Sequence, residues 1–80
     1  MRATVLVRPK QGILDPQGQA VQGSLRKLGF DVGQVRVGRV IDVEFEAEGE
    51  SEARQQIERM CTELLANPLI ESVQVRLEES

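Results

Sequence analysis

Cys61 is the residue best suited by type to covalent chemistry, since a thiolate is the strongest nucleophile a side chain offers near neutral pH. It needs a base or a positive neighbour to ionise, and the chain contains no histidine. It also falls inside an apolar series, between Met60 and Leu64, where a thiol is expected to be buried and inert. General acid–base catalysis near pH 7 draws most often on histidine, and tyrosine is absent as well. Asp42, Glu44, Glu46 and Glu48 recur at every second position, which reads as a solvated strand face rather than a catalytic pair. Gly12 and Gly18 lack the glycine spacing and terminal Lys-Ser/Thr of a phosphate loop, and they form no dinucleotide fingerprint. Ser24 and Ser51 have no triad partners. With one cysteine and no histidine, a structural zinc site lacks its usual ligands. An enzyme working through carboxylates alone is the only catalytic reading left, and association with other chains is the stronger one.

The elements that would position these residues must come from a short chain. Eighty residues make a single domain, 1–80, and a lone core of that size supplies only about 3–5 kcal/mol. The lone cysteine rules out an intrachain disulfide, so oligomerisation is the remaining common supplement. A net charge of −3 with acids and bases interspersed argues against a nucleic-acid partner. No segment approaches the roughly 20 apolar residues of a membrane span, and Met1–Arg8 lacks the apolar core of a signal peptide. A cytoplasmic protein is expected.

Ala3–Arg8 is rich in aliphatic and β-branched residues and is bounded by Pro9 and Gly12, which predicts a first strand. Asp15-Pro16 is a helix start, with aspartate as cap and proline at the first helical position. Val21, Leu25 and Leu28 follow as an apolar stripe, and Gly29 offers a left-handed close, so helix one is expected over about 16–28. From Gln34 to Ala47 the period changes to two: Val35, Val37, Ile41, Val43, Phe45 and Ala47 share one parity. Arg39 interrupts it beside Gly38. Either residues 38–40 turn a hairpin, or the strand is continuous for 14 residues, about 46 Å at 3.3 Å each. The continuous strand is too long for this domain to cover, so part of it would require a neighbouring subunit.

A second helix follows Gly49, with Ser51 as the expected cap and Ala53, Ile57, Met60, Cys61, Leu64 and Leu65 on one stripe. Asn67-Pro68 ends it. The last strand is expected from about Ile70 to Leu77, with Val73, Val75 and Leu77 on one face. The fold class is α+β: two helices on one face of an antiparallel sheet, a βαββαβ ferredoxin-like plan with strands 2 and 3 either separate or one long strand. Base stacking by an RNA-recognition domain is disfavoured, because Phe45 lies on the core parity and Phe30 is the only other aromatic. Arg8–Gly12 lacks the paired cysteines of a copper-chaperone loop. Arg36, Gly38 and Arg39, at a pattern break on an over-long strand, suit a protein contact surface.

Several segments together resemble the PurS family. They are Leu14-Asp15-Pro16-Gln17-Gly18-Gln19-Ala20-Val21, Leu28-Gly29-Phe30, Val35-Arg36-Val37-Gly38-Arg39 and Leu64-Leu65-Ala66-Asn67-Pro68-Leu69-Ile70-Glu71, in the family's order and at its length. The resemblance implies the small subunit of phosphoribosylformylglycinamidine synthase, in the fourth step of purine biosynthesis. That complex converts formylglycinamide ribonucleotide, glutamine and ATP into the amidine, glutamate, ADP and phosphate. Its partners would be a glutaminase subunit, which releases ammonia, and a large synthetase subunit, which consumes it with ATP and Mg. The small subunit would bridge them as a homodimer or homotetramer, assisting ammonia transfer and binding no cofactor itself. Leu14, Asp15, Pro16, Gln17 and Gly18, with Arg36, Val37, Gly38 and Arg39, are the expected subunit-contact residues. The competing class is an ACT-like regulatory domain binding a small molecule at a subunit interface.

Overall fold

Strand β1, Arg2–Pro9, pairs on both of its edges and is the axis of the chain. In a computed structural model, which describes residues 1–79, it is followed by α1 (Pro16–Lys27), β2 (Arg39–Glu44), α2 (Glu50–Met60) and β3 (Glu71–Glu78). The sheet is three-stranded and antiparallel throughout, in the order β2-β1-β3. The α+β class expected from the sequence is the observed one. The order matches a ferredoxin-like plan from which, among the described residues, the strand outside β2 is missing.

The register explains the alternating burial of β1. Ala3, Val5 and Val7 sit opposite Val43, Ile41 and Arg39 on one side and Leu77, Val75 and Val73 on the other. These three β1 residues are fully buried on the inner face, under Ile57, Cys61 and Ala66. Burying Val5, Val7 and Ile57 completely stabilises the fold by roughly 1.5–3 kcal/mol each. The opposite face carries Thr4 and Leu6, with Thr4 Oγ1 bonded to Asp42 Oδ1 at 3.1 Å. Arg2 pairs with Glu78 at 3.0 Å across the far end.

Helix α1 is bounded as its sequence dictates. Asp15 caps it, its Oδ1 accepting from the Gly18 N–H at 3.0 Å, and Pro16 occupies the first turn. At the other end Gly29 has φ +98°, the Gly29 N–H reaches the Arg26 carbonyl and the Phe30 N–H the Leu25 carbonyl. This is a Schellman close, which requires the left-handed glycine. The helix nevertheless does not sit on the sheet. Gly18 is its only buried residue, and neither Val21 nor Leu28 joins the core.

Gly38 decides between the two readings of the long alternating segment. It lies against the Val7 carbonyl and the Arg8 Cα, one step beyond the Arg39–Val7 pair. The chain therefore still runs alongside β1 at Gly38 and makes no hairpin there. Residues 34–38 lead into β2 without a strand partner of their own.

Helix α2 departs from its expected start and finish. Gly49 is the N-cap and Ser51 lies in the first turn without a side-chain capping bond. Glu52 instead reaches back to the Glu48 N–H at 3.4 Å. At the end, residues Cys61–Leu65 widen into a π turn, with the Ala66 N–H bonded to the Cys61 carbonyl at 3.1 Å. The wider turn rotates the side chains beyond Cys61, and Leu64, expected on the buried stripe, is 84% exposed. Truncation at two positions of the same expected stripe should then differ. Ile57→Ala is expected to cost about 2–5 kcal/mol by urea unfolding, and Leu64→Ala less than about 0.5 kcal/mol.

Candidate subunit interface

At one end of β1 the chain gathers the 10–15 loop, the 34–39 segment and the 66–71 turn. Asp15 joins the first two. While Oδ1 caps α1, its Oδ2 accepts from the Val37 N–H at 2.8 Å. The bonds from Val37 and Gly18 hold the Asp15 carboxyl below the usual carboxylate range, and the positive charge of Arg36 acts in the same direction. Gly18 completes the joint. A Cβ there would fall well inside van der Waals contact of the Val35 carbonyl oxygen, and would also crowd the Asp15 carboxylate. Gly38 has the same property against the Val7 carbonyl. Two glycines and one carboxylate thus allow three backbone segments to approach more closely than side chains would permit.

Arg39 joins the third segment. Its guanidinium forks onto Glu71, with Nη1 to Oε2 at 2.6 Å and Nη2 to Oε1 at 3.2 Å, and also donates to the Leu65 carbonyl. Glu71 Oε1 accepts in addition from the Asn67 N–H at 2.7 Å. Arg39 first, then this backbone bond, lower the Glu71 pKa. Asn67 Oδ1 accepts from the Leu69 N–H and its carbonyl from the Ile70 and Glu71 N–H groups, building the turn. The Ile70 carbonyl takes the Lys10 N–H at 2.9 Å, which closes the ring of loops.

The structure therefore brings the two expected contact segments, 14–18 and 36–39, together at one place. It gives their members different surroundings. Asp15, Gly18, Val37 and Gly38 hold the joint, and Arg39 bonds within the chain; Leu14 is 70% exposed and Gln17 is exposed, while Arg36 is half-buried. Pro16 starts α1. Sequence reasoning assigns no role to Glu71, nor to the exposed apolar residues Ile13 and Ile70, which line one groove with Leu14, nor to the exposed Leu69 that precedes Ile70. The available signal is the unmatched apolar pair Leu69-Ile70 directly after a helix-ending proline. Among the described residues no cluster of three or more acidic, cysteine or histidine side chains is placed to hold a metal. Cys61 is buried, and burial pushes its thiol pKa up, away from the reactive thiolate. No helix among the described residues is long and apolar enough to cross a membrane.

The family model described as PurS, phosphoribosylformylglycinamidine (FGAM) synthase, matches residues 2–79. The chain belongs to the PurS family. The Methanocaldococcus jannaschii phosphoribosylformylglycinamidine synthase subunit PurS is 38% identical over 79 residues, covering 98% of this chain and 95% of that one. Its crystal structure, described as one of the subunits of formylglycinamide ribonucleotide amidotransferase in the purine biosynthetic pathway, superimposes with a TM-score of 0.85 over 99% of this chain and 96% of that one. Bacillus subtilis PurS gives 0.87 at 34% identity, covering 98% of both chains. A chain of the PurLQS structure from Thermotoga maritima gives 0.84 at 33% identity, over 94% of this chain and 93% of that one.

The joint should be acid-sensitive. A carboxyl whose folded pKa lies below its unfolded value binds fewer protons when folded. Its contribution is complete above the unfolded value of about 3.9–4.3 and disappears as the pH falls through the lowered one. Asp15 and Glu71 share this sign. Thermal melts between pH 7 and pH 2 are expected to show a shallower acid loss for Asp15→Asn than for the natural chain. The amide also satisfies only one of the two N–H donors, so its melting temperature should already be lower at pH 7. Gly18→Ala and Gly38→Ala are each expected to lower stability by more than the roughly 1 kcal/mol of an ordinary backbone substitution, measured by urea unfolding.

Proposed function

We propose that the chain is the small, non-catalytic subunit of a phosphoribosylformylglycinamidine synthase complex in purine biosynthesis. It bridges a glutaminase subunit and an ATP-dependent synthetase subunit in the cytoplasm, and assists the passage of ammonia between them. ATP and Mg belong to the synthetase in this reading, and the chain itself binds no cofactor. It works as a homodimer or homotetramer.

One observation carries the reading: the Asp15 joint fixes an exposed apolar rim to a rigid frame. Ile13, Leu14 and Ile70, exposed by 37, 70 and 42%, line one groove with Asp15 and Val37, and Leu69, exposed by 82%, precedes Ile70 in the chain. Apolar side chains held by backbone bonds lose little freedom when a partner covers them, which is the property a bridging subunit needs. A buried thiol with a raised pKa and a chain without histidine fit a subunit that leaves the chemistry to others. Family membership favours this reading over an ACT-like small-molecule regulator.

Reconstitution with the two larger subunits tests it. Omitting the chain should abolish glutamine-dependent amidine formation and leave formation from added ammonium salts largely intact. Leu14→Asp with Leu69→Asp should weaken co-purification with the larger subunits while the far-UV circular dichroism of the isolated chain is retained. Glutamine-dependent activity that persists without the chain sinks the bridging role. Unchanged co-purification of the double variant sinks the rim as its contact surface.

A further inference from the structure

On the outer face of the sheet, opposite α2, a groove of about 380 Å³ brings together Arg8, Arg36 and Arg39. Small-molecule sites occupy about 300–1,000 Å³. Among the described residues no carboxylate lines this groove. Ala3, Val5 and Val7 fill the inner parity of β1, so Leu6 and Arg8 project outward. Leu6 and Val40 are cross-strand partners and make an apolar shelf in the groove, with Val40 exposed by 61%.

Gly38 allows the arginines to meet. A Cβ there would lie 3.3 Å from the Arg8 Cα and far closer to the Val7 carbonyl oxygen. Glycine therefore lets the backbone two residues after Arg36 close onto Arg8. Both arginines rise from backbone that is held: Arg8 is paired with Ser72 in the sheet, and Val37, next to Arg36, is bonded to Asp15.

The charges in the groove are unevenly answered. Arg39 is taken up by Glu71 and the Leu65 carbonyl. The guanidinium groups of Arg8 and Arg36 have no hydrogen-bond or ion-pair partner among the described residues. Asp15 is near enough to feel Arg36, but both of its oxygens already accept backbone N–H groups, and it lies outside the groove. Two unanswered positive charges in a chain of net charge −3 call for a dianion. A single carboxylate would satisfy one guanidinium and leave the other. A phosphate monoester carries about −1.5 to −2 near pH 7, with three acceptor oxygens that suit the forked donors of two arginines.

We propose that this groove binds a phosphate monoester of a small molecule. Its phosphoryl group sits between Arg8 and Arg36, and its uncharged body lies on Leu6 and Val40. The site does not depend on the bridging role proposed above, and either can fail without the other.

Three probes titrated into the full chain near pH 7 test it, read from the arginine side-chain resonances. Phenyl phosphate is a dianion with an apolar body, inorganic phosphate is the anion alone, and phenyl sulfate is a monoanion of the same shape as the first. Saturable binding of one phenyl phosphate per chain is expected, several-fold tighter than either other probe. Arg8→Ala and Arg36→Ala should each weaken it on the order of tenfold. Arg76→Ala, on the same sheet face but outside the groove, should leave it unchanged. Arg8→Lys and Arg36→Lys, which keep the charge and lose the fork, should fall between. No saturation with any probe overturns the site. Equal weakening in all three alanine variants overturns it too, as diffuse charge attraction. Inorganic phosphate or phenyl sulfate binding as tightly as phenyl phosphate overturns the monoester. Unchanged phenyl phosphate binding in the Arg8 and Arg36 variants, with lost co-purification with the larger subunits, assigns both arginines to protein carboxylates and overturns the proposal.

Discussion

The carboxylate of Asp15 is shared between two N–H groups, and the course of the chain depends on that sharing. One oxygen caps α1 at Gly18 and the other holds Val37, 22 residues away in sequence. Without the second bond α1 would be an amphipathic helix on a loop, free to seek the nearest apolar surface. With it, the start of the helix is tied to the 34–38 segment, and the helix does not sit on its own sheet. Glycine at positions 18 and 38 makes the arrangement sterically possible, and Arg39 with Glu71 ties the third loop to it. The exposed Leu14 directly precedes the residue that makes this joint.

The core rests on a simpler principle. One helix on one face of a three-stranded sheet buries Ala3, Val5, Val7, Ala53 and Ile57 completely, and little else. For a chain of 80 residues that is a thin source of stability. Membership of the PurS family gives the economy a context, because a subunit designed for assembly can leave part of its apolar surface to be covered later.

Much of this is legible in the residues. The aliphatic run of β1, period-two alternation in β3, the Asp-Pro start of α1, its Gly29 close and the inner row Ile41–Val43–Phe45 all lie where the pattern puts them. Periodicity names a face without naming what covers it, so the stripe of α1 reads as facing the sheet of its own chain. Leu64 misleads for another reason. A period of 3.6 residues cannot anticipate a π turn, whose extra residue comes from tertiary fit rather than from local preference. Arg39 reads as a contact residue because it breaks the alternation, and it breaks it in order to reach Glu71 and the Leu65 carbonyl across the end of the core. The partner of a salt bridge 32 positions away leaves no mark in spacing. Asp15 and Gly18 stand out within one segment and Val37 and Gly38 within another, but nothing local indicates that the two segments meet.

Helix α1 has 12 residues and buries only a glycine within its own chain. Isolated helices of that length are marginal in water, because the cost of the first turn is recovered only slowly by later turns. Its caps at Asp15 and Gly29 set where it can begin and end, and the Asp15 cap offsets about 1 kcal/mol of that cost. Any partner that covers the exposed stripe of α1 therefore also stabilises the helix itself, so that the two equilibria are linked.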